Sequence, residues 1–327
     1  MLLQTPFARD LDLSHPIVLA PMGAVSGGKL CAAVCNAGGL GLLGVGYGHL
    51  DWVERELRVF GEHHAAGAWG AGFITWCLSE ELLDRVLERQ PDVVMLSFGD
   101  PAPWIPRIKA SGARVFIQVQ TVAAAREAER AGADVIVAQG AEAGGHGGGR
   151  ATLPLVPAVV DAVAPVPVLA AGGITDGRGL AAALMLGAQG ALLGTRLFAS
   201  HEALGHARVK ERLIETGGDC TVRTRVFDIV RGIDWPAAFT GRAVANDFVS
   251  RWQGHEAELD RDVAAHRDHF LEAVTRGDVD TAMVWAGEGL DLIDKQQAAA
   301  EIVSEIAEKA HQRICDVASA SATPALA

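Results

Sequence analysis

One histidine stands among flexible glycines in AQGAEAGGHGGGR (138–150), and its residue type suits proton transfer. Imidazole titrates nearest neutrality, so His146 could serve as a general base; a loop histidine that only donates a hydrogen bond is the plainer alternative. Two further segments carry donors for an anion: VPVLAAGGITDGRG (166–179) and GALLGTRLFAS (190–200). Gly172 and Gly173 let backbone N–H groups approach a phosphate without Cβ obstruction. Gly194 and Thr195 offer N–H and hydroxyl donors at a helix start. In APMG (20–23), proline and glycine form a tight turn on which a planar cofactor could rest, or simply an ordinary loop. Gln118 and Gln120 share one face of RVFIQVQ, and Gln139 closes ADVIVAQ, so their amides could reach the polar edge of a ligand. Glu142 either orients a loop amide or is solvated, and Tyr47 either lines a pocket or packs.

These residues need a scaffold that brings distant loops to one face. Eight short apolar runs supply it: PIVLA (16–20), LGLLG (40–44), AGFIT (71–75), VVMLS (93–97), RVFIQV (114–119), ADVIVA (133–138), VPVLA (166–170) and GALLG (190–194). Helical spacing lies between them, as in SEELLDRVLERQ and TVAAAREAERAG. Near-continuous apolar strands are those buried on both faces, so the alternation predicts a (β/α)8 TIM barrel. A doubly wound sheet should carry a dinucleotide fingerprint after its first strand, and PMGAVSGG is not one. In a barrel, every candidate residue falls at the C-terminal ends of the strands, where catalytic sites lie, and the seventh and eighth turns are its usual phosphate site.

The barrel is expected over residues 1–205 and 281–318. A third of residues 206–280 are charged, and stretches such as HEAELDRDVAAHRDHFLEAV have helical spacing. This segment is expected to be a mostly helical insertion covering the active site on the substrate side. VASASATPALA ends the chain in small residues, giving a flexible tail over 319–327. The net charge of −12, with no basic patch, argues against nucleic acid. No apolar run approaches the ~20 residues of a membrane span, and no signal segment is seen, so a cytoplasmic protein is expected. Cys31 and Cys35, four apart in an apolar stretch, read as buried thiols. His255, His266 and His269 lack a metal-specific spacing, so no metal is expected. His63 and His64 read as solvated.

Taken together, APM in the first loop, NAGGLG before the second strand, QGAEAGGHGG after the sixth, AAGGITDGRG after the seventh and LGTRLFAS after the eighth closely resemble nitronate monooxygenases, formerly called 2-nitropropane dioxygenases. The resemblance covers residues 14–200 and continues in GRAVANDFVSRW and VWAGEGLDLI. It implies noncovalent FMN, with its phosphate at Gly172, Gly173, Gly194 and Thr195 and its isoalloxazine near Ala20, Pro21, Met22, Gln118, Gln139, Gly144 and Gly145. It implies that His146 is the catalytic histidine of an enzyme that uses O2 to turn alkyl nitronates into carbonyl compounds and nitrite. Two departures stand out. Many relatives carry Asn after the third strand, where this chain has Ile74 and Trp76, and an arginine directly after the histidine motif, where it has Gly147. Arg150 is displaced from that position. FMN-dependent NAD(P)H:quinone reductases and enoyl-acyl-carrier-protein reductases share the loop pattern and form the alternative. A flavin-free sugar-phosphate-binding barrel and a silent flavin carrier are readings of another class. The sequence leaves the oligomeric state open, a homodimer included.

Overall fold

The computed structural model describes residues 3–321. Eight parallel strands form the barrel: β1 (Ile17–Leu19), β2 (Gly41–Gly44), β3 (Trp69–Ile74), β4 (Val93–Ser97), β5 (Arg114–Val119), β6 (Val135–Gln139), β8 (Val168–Ala171) and β9 (Gly190–Leu193). They pair in the order β1-β9-β8-β6-β5-β4-β3-β2. A Val18–Leu40 bridge closes β1 against the start of β2, with Leu19 N donating to Leu40 O at 2.9 Å. All eight apolar runs therefore become barrel strands, and the fold is the TIM barrel expected. A short strand outside the barrel, β7 (Gly145–Gly147), makes β8 and β9 the seventh and eighth barrel strands.

Side chains alternate between two cores, as strand geometry requires. Inward, Val18, Leu42, Met95, Phe116, Val137 and Leu169 fill the barrel, and Phe7 meets Phe116 at its N-terminal end. Outward, Leu43, Val94, Ile117, Ile136 and Ala170 pack against the ring of helices. Those helices carry local stop and start signals: Thr121 accepts from Ala124 N to begin Val122–Ala131, and Gly132, at φ 97°, ends it. Cys31 and Cys35 are buried in the helix Gly28–Asn36. The long helix Ala299–Ser321 returns to pack on Gly177–Met185 and Gly28–Asn36, completing the ring. Residues 319–321 of the expected tail are thus helical, because the helix runs on through VASAS; residues 322–327 lie outside the described residues.

Residues 206–280 hold five helices and two strands, β10 (Thr221–Thr224) and β11 (Thr240–Val244). Their own core includes Phe227, Val230, Trp252 and Phe270. β11 pairs antiparallel with both β10 and β7, with Gly241 opposite His146. The sequence reading had no strand here. This three-stranded sheet ties the segment to the loop that carries the candidate base. Among the described residues, no helix is long and apolar enough to cross a membrane.

Candidate active site

The first-strand turn is fixed by its own hydrogen bonds. Ser26 Oγ donates to Ala20 O at 2.7 Å, Met22 N lies 3.2 Å from the same hydroxyl, and Ala20 N reaches across to Leu193 O at 2.9 Å. Pro21 packs flat on β3, where a Cβ on Gly72 would overlap its ring. Met22 Sδ would lie 3.6 Å from a Cβ on Gly194, so the first and eighth turns meet.

Gly172 and Gly173 adopt φ of 107° and 71°, the left-handed region that favours glycine. Among the described residues, the amides of Gly172, Gly173 and Gly194 donate to no protein acceptor. Thr195 Oγ1 accepts from Gly287 N at 2.9 Å, which leaves its proton to donate. Unpartnered amides on a glycine turn, beside a hydroxyl whose proton is uncommitted, are the donor set an anionic phosphate needs. Glu142 orients the loop. Its carboxylate accepts from Thr152 N at 2.9 Å and from Thr152 Oγ1 at 2.7 Å, which pins the loop to the start of the helix Thr152–Val163.

The glutamines form a relay toward His146. Gln139 Oε1 accepts from Gln118 Nε2 at 3.2 Å and from Gln120 Nε2 at 2.9 Å, while Gln139 Nε2 donates to the His146 carbonyl at 3.0 Å. Gln139 thereby supports the histidine strand; the Gln118 side-chain oxygen, Oε1, accepts from no protein donor among the described residues. Gly145 pairs with Arg242 in the small sheet, and Gly144 backs onto Ala286.

His146 keeps 8% of its side-chain surface. Its ring lies parallel to Trp235, with centroids 3.5 Å apart and planes at 5°, and Trp285 lies 5.2 Å away on a tilt. Nε2 sits 2.8 Å from Asp228 Oδ2. Burial lowers the imidazole pKa below its ordinary 6.5; Asp228 opposes this, and Arg231 and Arg223 add to it. The base-competent neutral ring is therefore favoured at pH 7.

Several residues that sequence reasoning missed complete the site. Arg223 Nη2 donates to Gly147 O at 2.6 Å and Nη1 to Ala141 O at 3.1 Å, while Arg242 Nε donates to Ala141 O at 2.9 Å. A guanidinium thus reaches the position after the histidine from β10. Arg150 instead points outward, to Pro154 O. Burial and the neighbouring Arg242 lower Arg223 to about 10. Trp235 Nε1 donates to Tyr47 OH at 2.9 Å, so Tyr47 packs beside the indole that covers His146. Trp76 and Phe98 meet Trp235 edge-on at 5.5 and 5.2 Å. The turn after the third strand thus contributes Trp76, which packs against both Trp235 and Tyr47. The signal for Trp235 was weak, a lone aromatic in IDWP.

A family model for nitronate monooxygenase matches residues 5–65 and 73–309. A nitronate monooxygenase of Neurospora crassa is 34% identical, over 92% of this chain and 90% of that protein. The (3aS,4S,5R,7aS)-5-hydroxy-7a-methyl-1-oxo-octahydro-1H-indene-4-carboxyl-CoA dehydrogenase of Mycobacterium tuberculosis is 36% identical, over 70% of this chain and 65% of that protein. Among solved structures, FabK from Thermotoga maritima superposes with a TM-score of 0.86 at 30% identity, covering 97% of this chain and 99% of that one. Nitroalkane oxidase from Streptomyces ansochromogenes superposes with a TM-score of 0.81 at 28% identity, covering 95% and 99%. With a family model spanning the barrel and the inserted segment, and a relative matched along nearly its whole length, the chain belongs to the nitronate monooxygenase family of oxidoreductases.

Proposed function

We propose that this protein is an FMN-dependent nitronate monooxygenase, converting alkyl nitronates and O2 to carbonyl compounds and nitrite. The observation that supports the reading is a buried His146, paired with Asp228, on the loop whose Gly140 and Ala143 backbone lies against the Gly172 turn. Gly172, Gly173, Gly194 and Thr195 would hold the FMN phosphate. Ala20, Pro21, Met22, Gln118, Gln139, Gly144 and Gly145 would border the isoalloxazine. Bound there, FMN would supply the one-electron oxidation of the nitronate and the reaction with O2.

The protein's own part is binding, proton control and exclusion of water. His146 takes the α-proton of a neutral nitroalkane and, once protonated, pairs with the nitronate anion. Trp235 and Trp285 wall the imidazole from bulk solvent, with Tyr47 and Trp76 packed behind Trp235, and this strengthens that pairing. A cytoplasmic detoxifying role for small nitro compounds belongs to the same proposal.

A second reading has NAD(P)H feeding the flavin to reduce a quinone or an enoyl-acyl-carrier-protein. FabK superposes over nearly the whole of both chains, but the family model and the sequence relatives matched over about nine-tenths of both chains are nitronate monooxygenases, and the dehydrogenase match spans 65% of that protein. Purified protein given an alkyl nitronate in air should consume O2 and release nitrite. Turnover of NADH with no nitrite from nitronate would support the second reading instead.

A further inference from the structure

His146 does not stand alone. Asp228 Oδ2 lies 2.8 Å from its Nε2, and the other carboxylate oxygen, Oδ1, lies 2.7 Å from Arg231 Nη2. Asp228 keeps 2% of its side-chain surface and Arg231 12%. An ionised carboxylate offers only acceptors, so the Nε2 that it contacts carries the imidazole proton. In the neutral ring the lone pair is then on Nδ1. That nitrogen bonds no protein group among the described residues, and it is not one of the sealed, unpartnered polar atoms. The accessible edge of the ring is the basic one.

The carboxylate is itself held in place. Asp228 and Arg231 sit three apart on the helix Val226–Arg231, on one face, and the helix is anchored by buried Phe227 and Val230. Arg231 Nε donates to Phe227 O at 3.0 Å, and its guanidinium carbon lies 5.6 Å from the Trp285 ring and 5.8 Å from the Tyr47 ring. If the carboxylate turned away from His146, it would also give up its guanidinium. The charged groups facing the imidazole are Asp228 and Arg231 from this helix and Arg223 from β10. Arg242 and Glu288 pair with each other beyond Arg223, and Tyr47 OH faces Arg231 and Trp235.

We propose that Asp228 is a positioning residue for proton abstraction: tethered by Arg231, it holds His146 in the Nε2–H tautomer and presents Nδ1 to the α-carbon of a neutral nitroalkane. In that step the substrate C–H bond breaks and an N–H bond forms at Nδ1. The C–H electron pair moves into the nitro group to give the nitronate, and nothing is oxidised or reduced. Asp228 stabilises the imidazolium that results. The assignment rests on the monooxygenase reading and adds to it a requirement confined to neutral substrates.

Asp228→Asn keeps the shape but adds a donor that can face Nε2, freeing the other tautomer. Its kcat/KM on nitroethane should fall about 100-fold or more, while that on preformed ethyl nitronate falls less than about tenfold. The acid limb of the nitroethane profile should move to lower pH, because the group that raises the imidazole pKa is gone, and Asp228→Glu should restore part of the loss. Equal losses on the two substrates, or an unmoved acid limb, would overturn the assignment in favour of a merely structural carboxylate. For a variant that does not fold, nitrogen-15 NMR of the unaltered protein decides the matter. It should show His146 protonated at Nε2, and a dominant Nδ1–H form contradicts the proposal. The tautomer is read without turnover, so the assignment is judged even in a protein that leaves ethyl nitronate untouched.

Discussion

The indole of Trp235 lies parallel to the imidazole of His146 at 3.5 Å, closing one face of the candidate base. The contact both orients the ring and dries it, and burial is the main cause of the lowered His146 pKa. Trp235→Ala should therefore move the acid limb of kcat/KM on a neutral nitroalkane to higher pH, toward 6.5, by wetting the ring. Removing so large a buried side chain should also cost about 3–5 kcal/mol, read as a lower denaturant midpoint. Trp235→Phe, which keeps a stacking ring, should show less of both.

The same depressed pKa links folding to pH. The folded chain holds the His146 proton less readily than the unfolded chain does, so this contribution to stability is fully present above 6.5 and is lost as pH falls through 6.5 toward the folded value. His15, also lowered by burial, acts in the same direction. Denaturation at about pH 7.5 and about pH 5.5 should give lower stability at the acid value, and His146→Asn should flatten part of that slope. The same variant should retain FMN while losing on the order of 100-fold in turnover of a neutral nitroalkane.

Gly172 tests the phosphate assignment. At φ 107° an alanine is strained by about 1–2 kcal/mol, and its Cβ would meet Gly140 O and Thr152 Oγ1 at 3.0 Å. Gly172→Ala should emerge from gel filtration with less flavin per chain than the parent. Full flavin content would remove this turn from the cofactor site.

Arg223 fastens the histidine loop from the far side, through Gly147 O and Ala141 O. Lysine cannot reproduce a two-pronged guanidinium contact, so Arg223→Lys gives up at least one charge-assisted bond to the loop, although Arg242 still donates to Ala141 O. A loss of about 1–3 kcal/mol is expected, with kcat falling more than flavin affinity. A stability and kcat indistinguishable from the parent would show that the loop is held without it.

The barrel was legible because parallel strands buried on both faces leave continuous apolar runs, and each of the eight did become a strand. His146 was legible for a different reason: one titratable side chain stood among glycines after a strand end. Its partners were not. β7 is only Gly-His-Gly, too short and glycine-rich to show strand character, and its partner β11 begins 93 residues after it ends. Asp228 sits in VFDIVR, which has the look of a small amphipathic helix. The available hint was an acid within an apolar run, with an arginine three residues on. Arg223 and Arg242 read as ordinary surface charges until β10 and β11 turn them toward the loop.

Anaerobic mixing with an alkyl nitronate, followed at the flavin absorbance near 450 nm, tests the proposed function most directly, since no oxygen chemistry intervenes. The absorbance should fall rapidly with nitronate and only slowly with NADH or NADPH. Rapid bleaching by a pyridine nucleotide, with no change on adding nitronate, would contradict the monooxygenase assignment.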